Sequence, residues 1–122
     1  KVGMTQEEAV KNNIEHLIVK DYYKDYGRAL IDSEDTGFIK VIATPQGRLL
    51  GASIVGNSAS ELITEWTMAI QNNLTLQDVA MMQHPFPTLS LLNARVAQKF
   101  MTQAMEKNRT NKTLRKKFSE TA

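Results

Sequence analysis

Apolar positions along the chain change period twice, and the changes mark out its elements. Residues 16–23 (HLIVKDYY) concentrate β-branched and aromatic side chains and predict a strand. FIKVIA at 38–43 and LLGASIV at 49–55 predict two more, joined as a hairpin by Thr44-Pro45-Gln46-Gly47-Arg48. Proline presets φ in that turn and glycine supplies its left-handed position. Gly51, inside the second strand of the hairpin, predicts a bulge or a close approach of backbone. After Gly56 the period becomes helical: Leu62, Ile63, Trp66, Ala69 and Ile70 share one face behind a capping box of Ser58 and Glu61. An earlier box, Thr5 with Glu8, predicts a short helix to about Asn12.

Thr75 predicts the cap of a second short helix carrying Leu76, Val79, Ala80 and Met82. The segment Gln83-His84-Pro85-Phe86-Pro87 is excluded from any helix, because proline lacks an amide hydrogen and biases its predecessor toward extended backbone. Thr88 then predicts the start of a long helix to about Lys107, with Leu89, Leu92, Val96, Phe100 and Ala104 as its core stripe. Gly27 and residues 32–37 read as loop. The order of helix, strand, hairpin, then helices predicts an α+β domain, an antiparallel sheet with helices packed on it.

Composition narrows the chemistry. At 122 residues, 42% hydrophobic and 23% charged, the chain has the size and balance of one globular domain. With no cysteine, disulfides, thiolate metal sites and cysteine nucleophiles are excluded. His16 and His84 are the only imidazoles, so a multi-histidine metal site is excluded too. No apolar run reaches the ~20 residues of a membrane span and no signal-peptide pattern opens the chain, which points to a cytoplasmic protein without membrane contact. The first residue, Lys1, reads as an internal start.

The net charge of +2 is unevenly spread. Lys107, Arg109, Lys112, Arg115, Lys116 and Lys117 crowd the end, and +2 less these six leaves −4 for the rest. The tail at 108–122 could bind nucleic-acid phosphates or be a solvated helix end whose cations suit the helix dipole. No aromatics interleave the charges before Phe118, which favours the second.

No glycine-rich phosphate loop, nucleophile elbow or zinc-binding helix motif is present; Gly47, Gly51 and Gly56 lie in or around a strand. The adjacent acids Glu7/Glu8 and Glu34/Asp35 suit a helix start and a solvated loop. His84 offers either a proton to a partner site or a ring bonded to backbone. A hydrolase built on His84 with Asp78 or Ser90 lacks a nucleophile–base signature. His16 reads as surface or structural. Trp66 suits an interface or the core equally, Asp25 and Arg28 suit a surface pair, and Met81 and Met82 suit core filling. Leu91 is an apolar residue on a polar helix flank, the mark of an interface or of a lost polar group.

His84-Pro85-Phe86-Pro87-Thr88-Leu89-Ser90 is oddly rigid for a plain connection. With it come Val2-Gly3-Met4-Thr5-Gln6-Glu7-Glu8-Ala9, Gly37-Phe38-Ile39-Lys40-Val41, Gly47 through Gly56, and Ala59-Ser60-Glu61-Leu62-Ile63. These five stretches, in this order over roughly residues 2–100, resemble the C-terminal dimerisation domain of the pyridine nucleotide-disulfide oxidoreductases. That family includes dihydrolipoamide dehydrogenase, glutathione reductase and mercuric reductase.

The resemblance implies a dimerisation domain over 1–107, followed by the basic tail at 108–122. It implies upstream FAD and NAD(P)H domains carrying the redox cysteines, a first strand just before Lys1, and a homodimer. In that homodimer each proline loop reaches the flavin side of the other subunit. His84, Phe86 and Pro87 are then the residues expected at the partner's flavin, with a backbone carbonyl of Phe86 in contact and a cis bond before Pro87. In disulfide reductases a histidine precedes the second proline and a glutamate follows five residues later. Here those positions are Phe86 and Leu91, so the proton-carrying dyad is expected to be missing and no catalytic residue is assigned. Mercuric reductases carry a tyrosine where Phe86 stands, and the loop is nearest to the mercuric reductase and dihydrolipoamide dehydrogenase-like branch. The alternative expectation is a stand-alone binding module of the same fold that uses its tail on nucleic acid.

Overall fold

Alternation in the three apolar runs sends every second side chain to one face, and the sheet is assembled so that those faces coincide. The computed structural model describes residues 1–26, 36–85 and 88–121, the side chains of 108, 111, 113–115 and 117–121 excepted. Its elements are β1 (Val2–Gly3), α1 (Gln6–Lys11), β2 (Leu17–Tyr22), a 3₁₀ turn (Tyr23–Asp25), β3 (Gly37–Ala43) and β4 (Leu49–Gly56). Three helices follow: α2 (Ala59–Gln71), α3 (Leu76–Met81) and α4 (Leu91–Thr121). The strands form one antiparallel sheet in the order β1-β4-β3-β2. The expected α+β architecture is the one observed.

The register explains where the core lies. Val19 pairs with Val41, Val41 with Ala52, and Ala52 with Val2, so one row of small apolar side chains crosses all four strands. Leu62, Trp66 and Ala69 of α2 and Leu92, Val96, Ala97 and Phe100 of α4 close over that face. Burying each large apolar side chain there contributes about 1.5–3 kcal/mol. Trp66 is fully buried, which settles its place in the core. The opposite face carries Tyr22 beside Phe38, with the Lys20 ammonium 4.0 Å from the Phe38 ring centroid. The two-residue strand β1, Val2–Gly3, forms one edge of the sheet, paired with β4.

Local chemistry decides the ends of elements, and some differ from expectation. The hairpin closes as read: the Gly47 amide donates to the Thr44 carbonyl at 2.9 Å, with Gly47 at φ +98°. Thr5 caps α1 through the Glu8 amide at 3.1 Å. The Ser58/Glu61 box is not formed. Ser58 sits at φ +58° with no side-chain cap bond, and its amide donates instead to Asn57 Oδ1 at 3.0 Å. A complete box forms at Thr75, with Asp78 as its acid.

Thr88 does not open the last helix. Its hydroxyl donates to the Pro85 carbonyl at 2.6 Å, and α4 begins three residues later, then runs unbroken through Lys107 to Thr121. Met81 and Met82 are not core: they are 82% and 39% exposed, because α3 turns Leu76 and Val79 inward instead. Gly27, residues 32–35 and Arg28, and with it the Asp25–Arg28 pair, lie outside the described residues. No helix among the described residues is long and apolar enough to cross a membrane.

Gly51 is the tightest contact in the sheet. A Cβ there would stand 2.0 Å from the Met4 carbonyl oxygen, a backbone atom that cannot step aside. Gly51→Ala is therefore expected to push β1 off β4 and cost about 1–3 kcal/mol, read as a lowered urea midpoint. An unchanged midpoint would show that the edge strand contributes nothing.

Candidate functional site

α3 ends at Met81, and Pro85 disfavours any return to helical backbone at His84, which lies against Glu65 in the middle of α2. Met82, the C-terminal cap, has ψ +145°. This turns the His84 ring beneath the loop, where its side chain is only 5% exposed. Nδ1 lies 2.9 Å from the Met82 carbonyl and Nε2 lies 2.5 Å from Glu65 Oε1.

Behind His84 the polar contacts continue into the core. Glu65 Oε2 accepts from Asn93 Nδ2 at 2.7 Å, the same nitrogen donates to the Leu62 carbonyl at 3.2 Å, and Asn93 Oδ1 accepts from Trp66 Nε1 at 2.7 Å. The indole is a donor only, which fixes the orientation of the Asn93 amide: oxygen toward Trp66, nitrogen toward its two acceptors. Asn93 is 1% exposed, yet every polar atom of its side chain is satisfied. Four side chains from α2, α4 and the loop thus form one chain of hydrogen bonds from the core to His84.

The far side of the loop has its own anchor. The Tyr26 hydroxyl donates to the Thr88 carbonyl at 2.6 Å, and Thr88 Oγ1 lies 2.6 Å from Ser90 Oγ as well as bonding Pro85. The loop therefore has two fixed shoulders, His84 and Thr88. Phe86 and Pro87, with their peptide bond, lie between them and outside the described residues. Leu91 is half-buried at the first position of α4.

Sequence reading named His84 and the loop but missed Glu65, Asn93 and Tyr26. Of the two readings for His84, its ring is bonded to backbone, and to a carboxylate besides. His16 is likewise tied locally, with Nδ1 2.8 Å from the Ile14 carbonyl. Asp78 serves its helix cap. The described glycines do not form a cradle for a dinucleotide: Gly47 closes the hairpin turn and Gly51 admits Met4. Among the described residues no group of three or more His, Asp or Glu side chains could hold a metal ion. Lys107, Arg109, Lys112 and Lys116 are exposed along α4.

Comparison with known proteins adds what geometry alone does not. The family model of the pyridine nucleotide-disulphide oxidoreductase dimerisation domain matches residues 1–95. Dihydrolipoyl dehydrogenase of Halobacterium salinarum is 42% identical over 90 residues, 73% of this chain and 19% of that protein. The Bacillus subtilis dihydrolipoyl dehydrogenase is 36% identical over 98 residues, 80% of this chain and 21% of that protein. Among solved structures, the HOCl-induced flavoprotein disulfide reductase RclA from Escherichia coli superposes with a TM-score of 0.75 at 23% identity, over 80% of this chain and 22% of that one. The chain spans about a fifth of the length of the curated relatives it matches.

Replacing Asn93 by leucine tests the hydrogen-bond chain directly. The change leaves the Trp66 N–H without an acceptor and removes one donor from Glu65, at a cost of about 2 kcal/mol or more. Asn93→Leu is expected to lower unfolding stability by that amount and to speed solvent exchange of the Trp66 indole N–H. Wild-type exchange at that proton would contradict the arrangement.

Proposed function

The chain belongs to the family of pyridine nucleotide-disulphide oxidoreductase dimerisation domains, and on that premise we propose that it pairs two subunits of a larger FAD-dependent NAD(P)H oxidoreductase. In each pair, the loop from His84 to Ser90 closes the flavin site of the other subunit. The observation that carries this reading is the doubly anchored loop. His84 is held by Glu65 and Met82, Thr88 by Tyr26, and only three residues separate these shoulders. Shoulders fixed this way are pre-organised, so presenting them to a partner loses little conformational entropy.

In the intact enzyme the flavin would pass electrons between nicotinamide and substrate. The part of this chain is narrower. Its described glycines serve strand packing and the hairpin turn, so the dinucleotide would be held by upstream domains, with this chain supplying loop backbone around Phe86 and Pro87. That role needs no particular side chain at the tip and suits a phenylalanine. Neither Phe86 nor Leu91 can carry a proton, so on this reading the proton-handling dyad of disulfide reductases is absent from this loop. The likeness to dihydrolipoyl dehydrogenases supports an oxidoreductase as the parent enzyme. Met68, 59% exposed on α2, leaves an apolar side chain available to such a contact.

The reading is tested on the native protein isolated from its own cells. Expected is a yellow protein with the visible absorption of bound flavin, sedimenting at twice its polypeptide mass. A colourless monomer would overturn both halves of the proposal.

A further inference from the structure

The two shoulders of the loop are held by different chemistry. Tyr26 and Thr88 meet through neutral groups, whereas His84 meets an ionisable one. A carbonyl oxygen only accepts, so His84 Nδ1 carries a hydrogen toward Met82. The 2.5 Å contact between Nε2 and Glu65 Oε1 needs a second hydrogen, whichever atom it rests on. A neutral imidazole beside an ionised carboxylate supplies only the first. The intact arrangement therefore holds one proton more than that. When it leaves, two lone pairs face each other and one of the contacts to His84 must open.

The surroundings leave this proton to the pair alone. The imidazole is faced by Glu65 from α2 and by the Met82 carbonyl from the end of α3. The carboxylate is faced by His84 and, from α4, by the Asn93 amide. Among the described residues no other charged side chain pairs with either.

We propose that Glu65 is a positioning residue that acts through His84 to hold the near shoulder of the loop, and that the hold exists while the pair keeps its shared proton. The hold is present at lower pH and is lost as pH rises. Its consequence for the flavin rests on the reading of the preceding section; the hold itself rests on the three contacts above.

The test uses the intact flavoprotein with Glu65→Gln and Glu65→Ala. Readouts are hydrogen-exchange protection factors across residues 82–90 and flavin emission, both followed against pH. Wild type is expected to lose protection as pH rises, with flavin emission changing in parallel. Glu65→Ala should lower protection about tenfold or more across the pH range, the factor set by losing one charge-assisted hydrogen bond. Glu65→Gln is the decisive variant. Its amide can donate to a neutral imidazole and still accept from Asn93, so it should keep the protection of wild type at low pH and lose the pH dependence.

A Glu65→Gln profile that matches wild type at every pH overturns the inference, as does a Glu65→Ala loop as protected as wild type. A protein that binds no flavin overturns the reading of the preceding section, while the protection factors still decide the pair. Protection that follows the variants while flavin emission ignores them overturns the link to the flavin alone.

Discussion

The Trp66–Asn93 hydrogen bond is the constraint on which the rest of the loop's geometry depends. An indole N–H in a dry core must find an acceptor, and the acceptor here is an amide whose other end is then obliged to donate. That obligation fixes the Glu65 carboxylate, and the carboxylate fixes the imidazole. Core packing and loop position are therefore one problem: moving α2 against α4 breaks the bond that sets His84. A satisfied buried polar chain of this kind rigidifies its surroundings more than an apolar contact of equal area, because each member has only one arrangement that leaves nothing unpaired.

The sheet supplies the platform for this arrangement. Its core face presents small β-branched and alanine side chains in register, which lets two helices lie close to the strands and to each other. At the β2 edge the apolar face ends in a polar contact. Asp21, 4% exposed, lies 3.5 Å from Arg95 Nε, and Arg95 also donates to the Asp25 carbonyl at 2.6 Å. Arg95 thus ties the start of α4 to the turn that leads to Tyr26, the residue holding the far shoulder. Both shoulders trace back to the first two turns of α4, through Asn93 on one side and Arg95 on the other.

Much of the fold was legible because it is written locally. The Thr44–Arg48 turn, the Thr75 cap and the alternating runs each declare themselves within a few residues. Two of the misreadings, Ser58 and Thr88, share a cause: a short polar side chain was assigned the job its neighbours suggested when a different partner stood nearer in space. Ser58 lost its cap role by adopting left-handed backbone, and Thr88 lost its own to the Pro85 carbonyl. The site was harder to read because its bonds join residues 19 and 28 positions apart. A signal existed nonetheless. Glu65 falls between Leu62 and Ala69 on α2, and Asn93 falls between Leu92 and Val96 on α4, so each is a polar residue interrupting an apolar stripe. Such interruptions require a partner, though sequence alone does not say which.

The length of α4 has a mechanical meaning. At about 1.5 Å per residue its 31 residues make a rod of roughly 46 Å. Asn93 and Arg95 sit at one end of that rod, Phe100 is wedged in the core as its fulcrum, and the cationic turns form the far arm. A rod transmits tilt without stretching, so a load on the far arm would arrive at the two loop shoulders together and in the same sense. The helix that builds the site is also the handle by which it can be moved.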